Sequence, residues 1–157
     1  MSMVAFGVSG KTIAATSTLT TDLGVQCPAQ QAVTLDEVDV GFDGTNSANG
    51  PGIIDIGHCT FATNPPGTNS TSVTPVKSDS ARTETVQSTC GKTWTTQPTV
   101  ITIWKSFLCP VYMGSALAPL PLLKPMIAKG GGGIVLSSTL PASVTANLTG
   151  TLLCTEG

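Results

Sequence analysis

The chain is short of charge. Only 10% of its 157 residues are Asp, Glu, Lys or Arg, against about 25% in ordinary soluble domains. The seven basic residues, Lys11, Lys77, Arg82, Lys92, Lys105, Lys124 and Lys129, are dispersed, and the net charge is −2. Nucleic-acid binding through phosphate neutralisation needs a clustered basic patch, so that partner is excluded. Histidine occurs once, at His58. A Ser-His-Asp arrangement would have to use it, yet no Gly-x-Ser-x-Gly elbow exists; Gly7-Val8-Ser9-Gly10 lacks the spacing. His58 follows Ile54 and Ile56 on the apolar side of an extended segment and reads as a structural or interface residue. No paired carboxylates stand in a setting that would suit a depolymerase.

Other absences narrow the reading further. Cys27, Cys59, Cys90, Cys109 and Cys154 form no C-x-x-C pair, which removes zinc-ribbon and thioredoxin chemistry. They read as buried thiols acting as small hydrophobes; were one or two disulfides to form after release from the cell, at least one thiol would stay free or pair between chains. Asp36, Glu37, Asp39 and Asp43 lack the ligand spacing of an EF-hand loop and read as a solvated strand end. Lys129 comes before its four glycines, the reverse of a phosphate loop. The start, Met1-Ser2-Met3-Val4, lacks the basic and apolar regions of a secretory leader. The most apolar stretch, Phe107 to Ala128, is interrupted by Pro110, Pro119, Pro121, Pro125 and Lys124, so a membrane-spanning helix is not expected. Neither a metal nor a cofactor is expected.

What is present is threonine and serine, 25 and 14 residues. Threonine is β-branched and suits a pleated, half-buried surface. Eleven prolines and seventeen glycines argue against long helices. Strands are predicted over Val4–Ala15, with irregularities at Gly7 and Gly10, then over Thr16–Val25, Val33–Phe42 and Ile53–Phe61. In Val33–Phe42 one face carries Val33, Leu35, Glu37 and Asp39, a mixture expected where the ends and middle meet different surroundings. Val73–Lys77 and Thr83–Thr89 are weaker strands, and Gly91–Pro98 is a polar loop carrying Trp94. Thr99–Phe107 is the clearest strand, with Trp104 expected in the core or between sheets. Pro110–Pro119 reads as irregular, Leu120–Ala128 as extended, and Gly130–Gly133 as a turn before Ile134–Ser138 and Val144–Thr155. About eight to ten short strands spaced about 8–12 residues apart predict an all-β, single-domain β-sandwich, jelly-roll-like, spanning 1–157 with a short N-terminal arm. A nearly uncharged surface of this kind is poorly protected against self-association, which suggests that neighbours cover it. A simply neutral, threonine-rich extracellular domain has the same composition.

The order of several short motifs carries a resemblance: Gly7-Val8-Ser9-Gly10-Lys11-Thr12, Val40-Gly41-Phe42-Asp43-Gly44-Thr45, Thr74-Pro75-Val76-Lys77, Gln97-Pro98-Thr99, Gly130–Gly133 and Thr139-Leu140-Pro141-Ala142-Ser143-Val144. In this order the chain resembles small structural proteins of tailed bacteriophages. The many cysteines and the apolar stretch near Leu120–Ile127 depart from that pattern. The resemblance implies a head-associated decoration or minor capsid protein with no active site. On that reading it is made in the host cytoplasm, resides on the capsid surface of the virion, binds the major capsid protein and forms a homo-oligomer. The adhesive residues are then expected among Met3, Val4, Trp94, Phe107, Tyr112, Met113, Leu117, Leu120 and Leu122. An alternative is a head fibre or tail adhesin that binds host glycans through Trp94 and Tyr112.

Overall fold

A computed structural model describes residues 3–43, 50–112 and 126–157, together with the backbone of 114–119. The described residues form twelve strands and no helix: β1 (Val4–Ala15), β2 (Thr20–Gln26), β3 (Ala32–Phe42), β4 (Gly52–Thr60), β5 (Thr71–Val73), β6 (Val76–Lys77), β7 (Thr89–Lys92), β8 (Thr99–Cys109), β9 (Gly114–Pro119), β10 (Met126–Lys129), β11 (Gly132–Thr139) and β12 (Ala146–Glu156). One sheet runs β10-β3-β12-β1-β6, with β9 also paired to β3; the other runs β5-β7-β2-β11-β4-β8. All pairings are antiparallel. The protein is a β-sandwich, as the sequence predicts; the finer jelly-roll expectation is not confirmed.

The core lies between the inner faces of the two sheets. β12 shows why: Ala146, Leu148, Leu152 and Cys154 point inward at alternate positions and are all buried. Full burial of each leucine contributes about 1.5–3 kcal/mol. Leu35, Val38, Val40, Ile54, Ile56, Ile134 and Leu136 meet them from both sheets.

Bulges correct the phase wherever strict alternation would put the wrong residue inside. In β3 the register slips at Asp36, so Val33 and Leu35 face the core before it and Val38, Val40 and Phe42 after it. This is the physical origin of the mixed face in the sequence. In β1 the slip falls at Lys11 and Thr12, just beyond Gly10, and returns Ile13 and Ala15 to the interior. Thr12 takes a left-handed φ of 55° there.

Several boundaries differ from expectation. Thr16–Thr18 is a turn, with the Thr16 hydroxyl accepting from the Thr18 amide, so β2 begins at Thr20. Val73–Lys77 breaks at Thr74-Pro75, where the chain leaves one sheet for the other. Thr83–Ser88 is not a strand. Its end is fastened by the buried Glu156 carboxylate, which accepts from the amides of Gln87 (2.9 Å) and Ser88 (2.7 Å) and from the Ser88 hydroxyl. The expected irregular stretch Pro110–Pro119 contains β9, whose backbone pairs with β3 from Glu37 to Phe42. The turn expected over Gly130–Gly133 is confined to Gly130 and Gly131, at φ 60° and 77°, while Gly132 and Gly133 already belong to β11.

Candidate functional site

No constellation of catalytic groups is assembled among the described residues. No three His, Cys, Asp or Glu side chains come together to hold a metal ion. His58 is half-buried on β4 between Ile134 and Thr102. All five cysteines are buried and unpaired. Burial pushes the Cys27 thiol up to about 11 and those of Cys59 and Cys90 up to about 12. Thiols so disfavoured as thiolates are poor nucleophiles and poor metal ligands. The acidic cluster is dispersed along the strand: Asp36, in the middle of β3, accepts from Thr155, and Asp43, just past its end, accepts from Asn147. A cleft of about 550 Å³ lies between Pro28–Gln31 and Glu84–Gln87 beside Val4. Its buried carboxylate, Glu156, is the one already committed to Gln87 and Ser88.

One buried acid is not so well supplied. Asp22 is the extra residue of a bulge between β2 and β11, with Leu23 opposite Leu136 and Thr21 opposite Ser137. Its carboxylate accepts from the Thr20 hydroxyl, while Oδ2 and the nearby Ser138 Oγ lack a partner in hydrogen-bonding geometry. Burial pushes the carboxyl from 3.8 up to about 7, and the Ser138 and Thr20 hydroxyls pull it part of the way back.

The informative geometry is on the outer face of the sheet that holds β2, β11, β4 and β8. Over one half, the segments after β4 and β7 form a roof. Phe61 and Trp94 lie there with ring centroids 5.9 Å apart, against Cys59, Val135 and Ile101. The floor is made by glycines: a Cβ on Gly24 or Gly91 would meet Trp94 at 2.8 Å, and one on Gly133 would meet Phe61 at 2.2 Å. The roof is tied by polar contacts. The Trp94 indole donates to the Asn64 carbonyl (3.0 Å), Asn64 donates to the Gln97 carbonyl (2.8 Å), and the Thr21 amide donates to Gln97 Oε1 (2.7 Å). Trp94 is therefore only 3% exposed, a difference from the exposed loop contact expected of it.

Over the other half none of the described segments forms a roof. Ile53 on β4 stands opposite Leu108 on β8, and Ile103 stands opposite Gly57 on the same face. Leu108 is 64% exposed and Ile103 50%. Nearby on β8 and just beyond it, Val100, Trp104 (41% exposed) and Tyr112 are also open to solvent. Trp104, expected in the core, is the extra residue of a bulge between Ile103 and Lys105 and is displaced from the strand's alternation. Between the apolar side chains sits Asp55, 9% exposed, accepting a hydrogen bond from the Ser106 hydroxyl.

The expected adhesive residues are not one surface. Met3 and Tyr112 are exposed, Val4 is buried, and Phe107 is half-buried against the core. Met113, Leu120 and Leu122 lie outside the described residues, as does the side chain of Leu117. Ile53, Val100, Ile103 and Leu108 were not singled out from sequence. The signal was present: Val100-Ile101, Ile103-Trp104 and Phe107-Leu108 put apolar residues at both parities, more than a strand with one buried face can cover. Comparison with known protein families, curated proteins and solved structures finds no match to any of them.

Proposed function

We propose that the protein is a structural component of a bacteriophage particle, bound to the outer surface of the head, where it bridges subunits of the major capsid protein. The supporting observation is the concentration of exposed apolar side chains. Among the described residues, ten large apolar side chains are exposed, and Ile53, Val100, Ile103, Trp104, Leu108 and Tyr112 lie along β4 and β8 or just past them. A concentration of exposed apolar side chains on one pair of strands suits a contact surface. The low charge of the chain and the order of its motifs point the same way. The protein performs no catalysis in this role and acts in many copies.

Packed DNA presses a shell outward, and a bridging protein adds contact area that must be lost before the shell opens. Particles lacking the protein are then expected to release DNA at a lower temperature than complete ones, with recovery on adding it back. Unchanged heat stability overturns the proposal. Of the two rings in the glycan-binding alternative, Trp94 is enclosed and cannot stack on a sugar, while Tyr112 is exposed.

A further inference from the structure

We infer that the unroofed strip around Ile53, Ile103 and Leu108 receives a protein surface that places a lysine or arginine among apolar side chains, with Asp55 as its counterion. This rests on the particle-bound role proposed above and assigns the chemistry of the surface that the strip would meet.

Asp55 lies on β4 between Ile53 and Gly57, and its partner Ser106 lies on β8 between Ile103 and Leu108. The carboxylate is thus in the middle of the apolar strip. Among the described residues it accepts one hydrogen bond, from Ser106, and none of them forms an ion pair with it. The adjacent base, Lys105, pairs with Ile56 and so occupies the opposite, core-facing side of the sheet. Covering the strip removes the water that still reaches Asp55. Enclosing a carboxylate without a cation or further donors is strongly unfavourable. A partner that seals this strip must therefore supply the charge. A second copy that packed the same strip across Asp55 would set like charge against like, so charge complementarity favours a different, basic partner.

Strand addition along β8 is a poorer fit than side-chain contact. β8 is bulged at Trp104 and again at Val100–Ile101, where Val100 takes φ 52°, and an added strand would have to enclose the inward Lys105. The other edge strands are shorter: β5, β6, β9 and β10 are three, two, six and four residues long.

The test uses DNA-free heads of the phage, stripped of this protein, with binding of the purified chain read by co-sedimentation. The wild type is expected to bind. Ile103→Asp and Leu108→Lys are each expected to weaken binding about 30-fold or more. Asp55→Asn should weaken it about tenfold and flatten its dependence on salt. Circular dichroism and melting confirm that each variant is folded, and the more exposed Leu108 serves if Ile103→Asp is not. Wild-type binding that all three variants retain overturns this inference and leaves the particle role standing. A wild type that does not bind overturns both. A dimer of the free protein, seen by sedimentation equilibrium and dispersed by Leu108→Lys, puts a second copy on the strip and also overturns the inference.

Discussion

The two halves of one sheet face are finished in different ways. Under the roof, Phe61 and Trp94 rest on the glycine floor of β2, β7 and β11, and hydrogen bonds of Trp94, Asn64 and Gln97 tie the covering loops down. On the bare half, Ile53, Ile103 and Leu108 stand on β4 and the twice-bulged β8, and no described segment crosses over them. The two tryptophans make the contrast plain: the one in a polar loop is enclosed, and the one inside a strand is open to solvent. Burial here follows what crosses over a residue, not the type of element that carries it. The roofed half therefore serves stability, and the bare half is free to serve contact.

The largest expected effect tests the first half of that division. Trp94→Ala removes the ring that fills the roof and leaves the Asn64 carbonyl without its donor. Loss of a buried tryptophan costs about 3–5 kcal/mol, readable as a lower denaturation midpoint in urea. A loss below about 1 kcal/mol would mean that the roof is ornamental to the fold.

Asp22 sharpens the same comparison from beneath. Its backbone carbonyl accepts from the Thr93 amide, and the preceding Thr21 holds Gln97, so the acid sits at the roof's attachment to β2. Unfolded, the carboxyl titrates near 3.8; folded, near 7. Between those values the folded chain holds the proton that the unfolded chain has released, so stability falls as pH rises. The full contribution is present below about pH 4, is lost progressively toward pH 7, and is absent above it, a span of up to about 4 kcal/mol for a shift of this size. Stability measured at intervals from pH 4 to 8 should show that decline, and Asp22→Asn should flatten it. A profile that rises across this range would contradict the burial of Asp22.

A third variant addresses the floor. Gly133→Ala places a methyl group where Phe61 already lies and beside the Val25 carbonyl. Overpacking of this kind costs about 1–3 kcal/mol, and the melting temperature is the simplest measure. Neutral behaviour would show that the roof yields without resistance.

The fold was largely legible because alternation reports on the one face that is always covered. Val4–Ala15 and Val144–Thr155 read correctly as strands since Phe6, Val8, Leu148 and Leu152 recur at the period that the inner face requires. Bulges were visible only as faults in that rhythm, as at Asp36, and short strands such as β5 and β9 gave too few residues to show a period at all. The outer faces were not legible. Nothing local to Gly91–Pro98 states that Trp94 folds back over Gly24, because that contact depends on Asn64 and Gln97 arriving from elsewhere in the chain. The same limit applies to Trp104, whose exposure follows from a register slip against Ile56 and Gly57. Of the candidate contact residues, Val4 and Phe107 were apolar because the core needs them, while Ile103 and Leu108 were apolar without any such need.

That last distinction sets the smallest expected effect, on the bare half. Ile103→Thr and Leu108→Ser remove apolar area that water already reaches, so neither a cavity nor an unpaired buried group results. Exposed substitutions of this kind change stability by no more than about 0.5 kcal/mol, and threonine keeps the β-branched shape that a strand favours. In the isolated protein the denaturation midpoint should therefore stay within error of the wild type, even though the same side chains are assigned to contact with a partner. A destabilisation above about 1 kcal/mol in the free chain would show that Ile103 and Leu108 are already covered, and the difference between the two halves of the face would disappear.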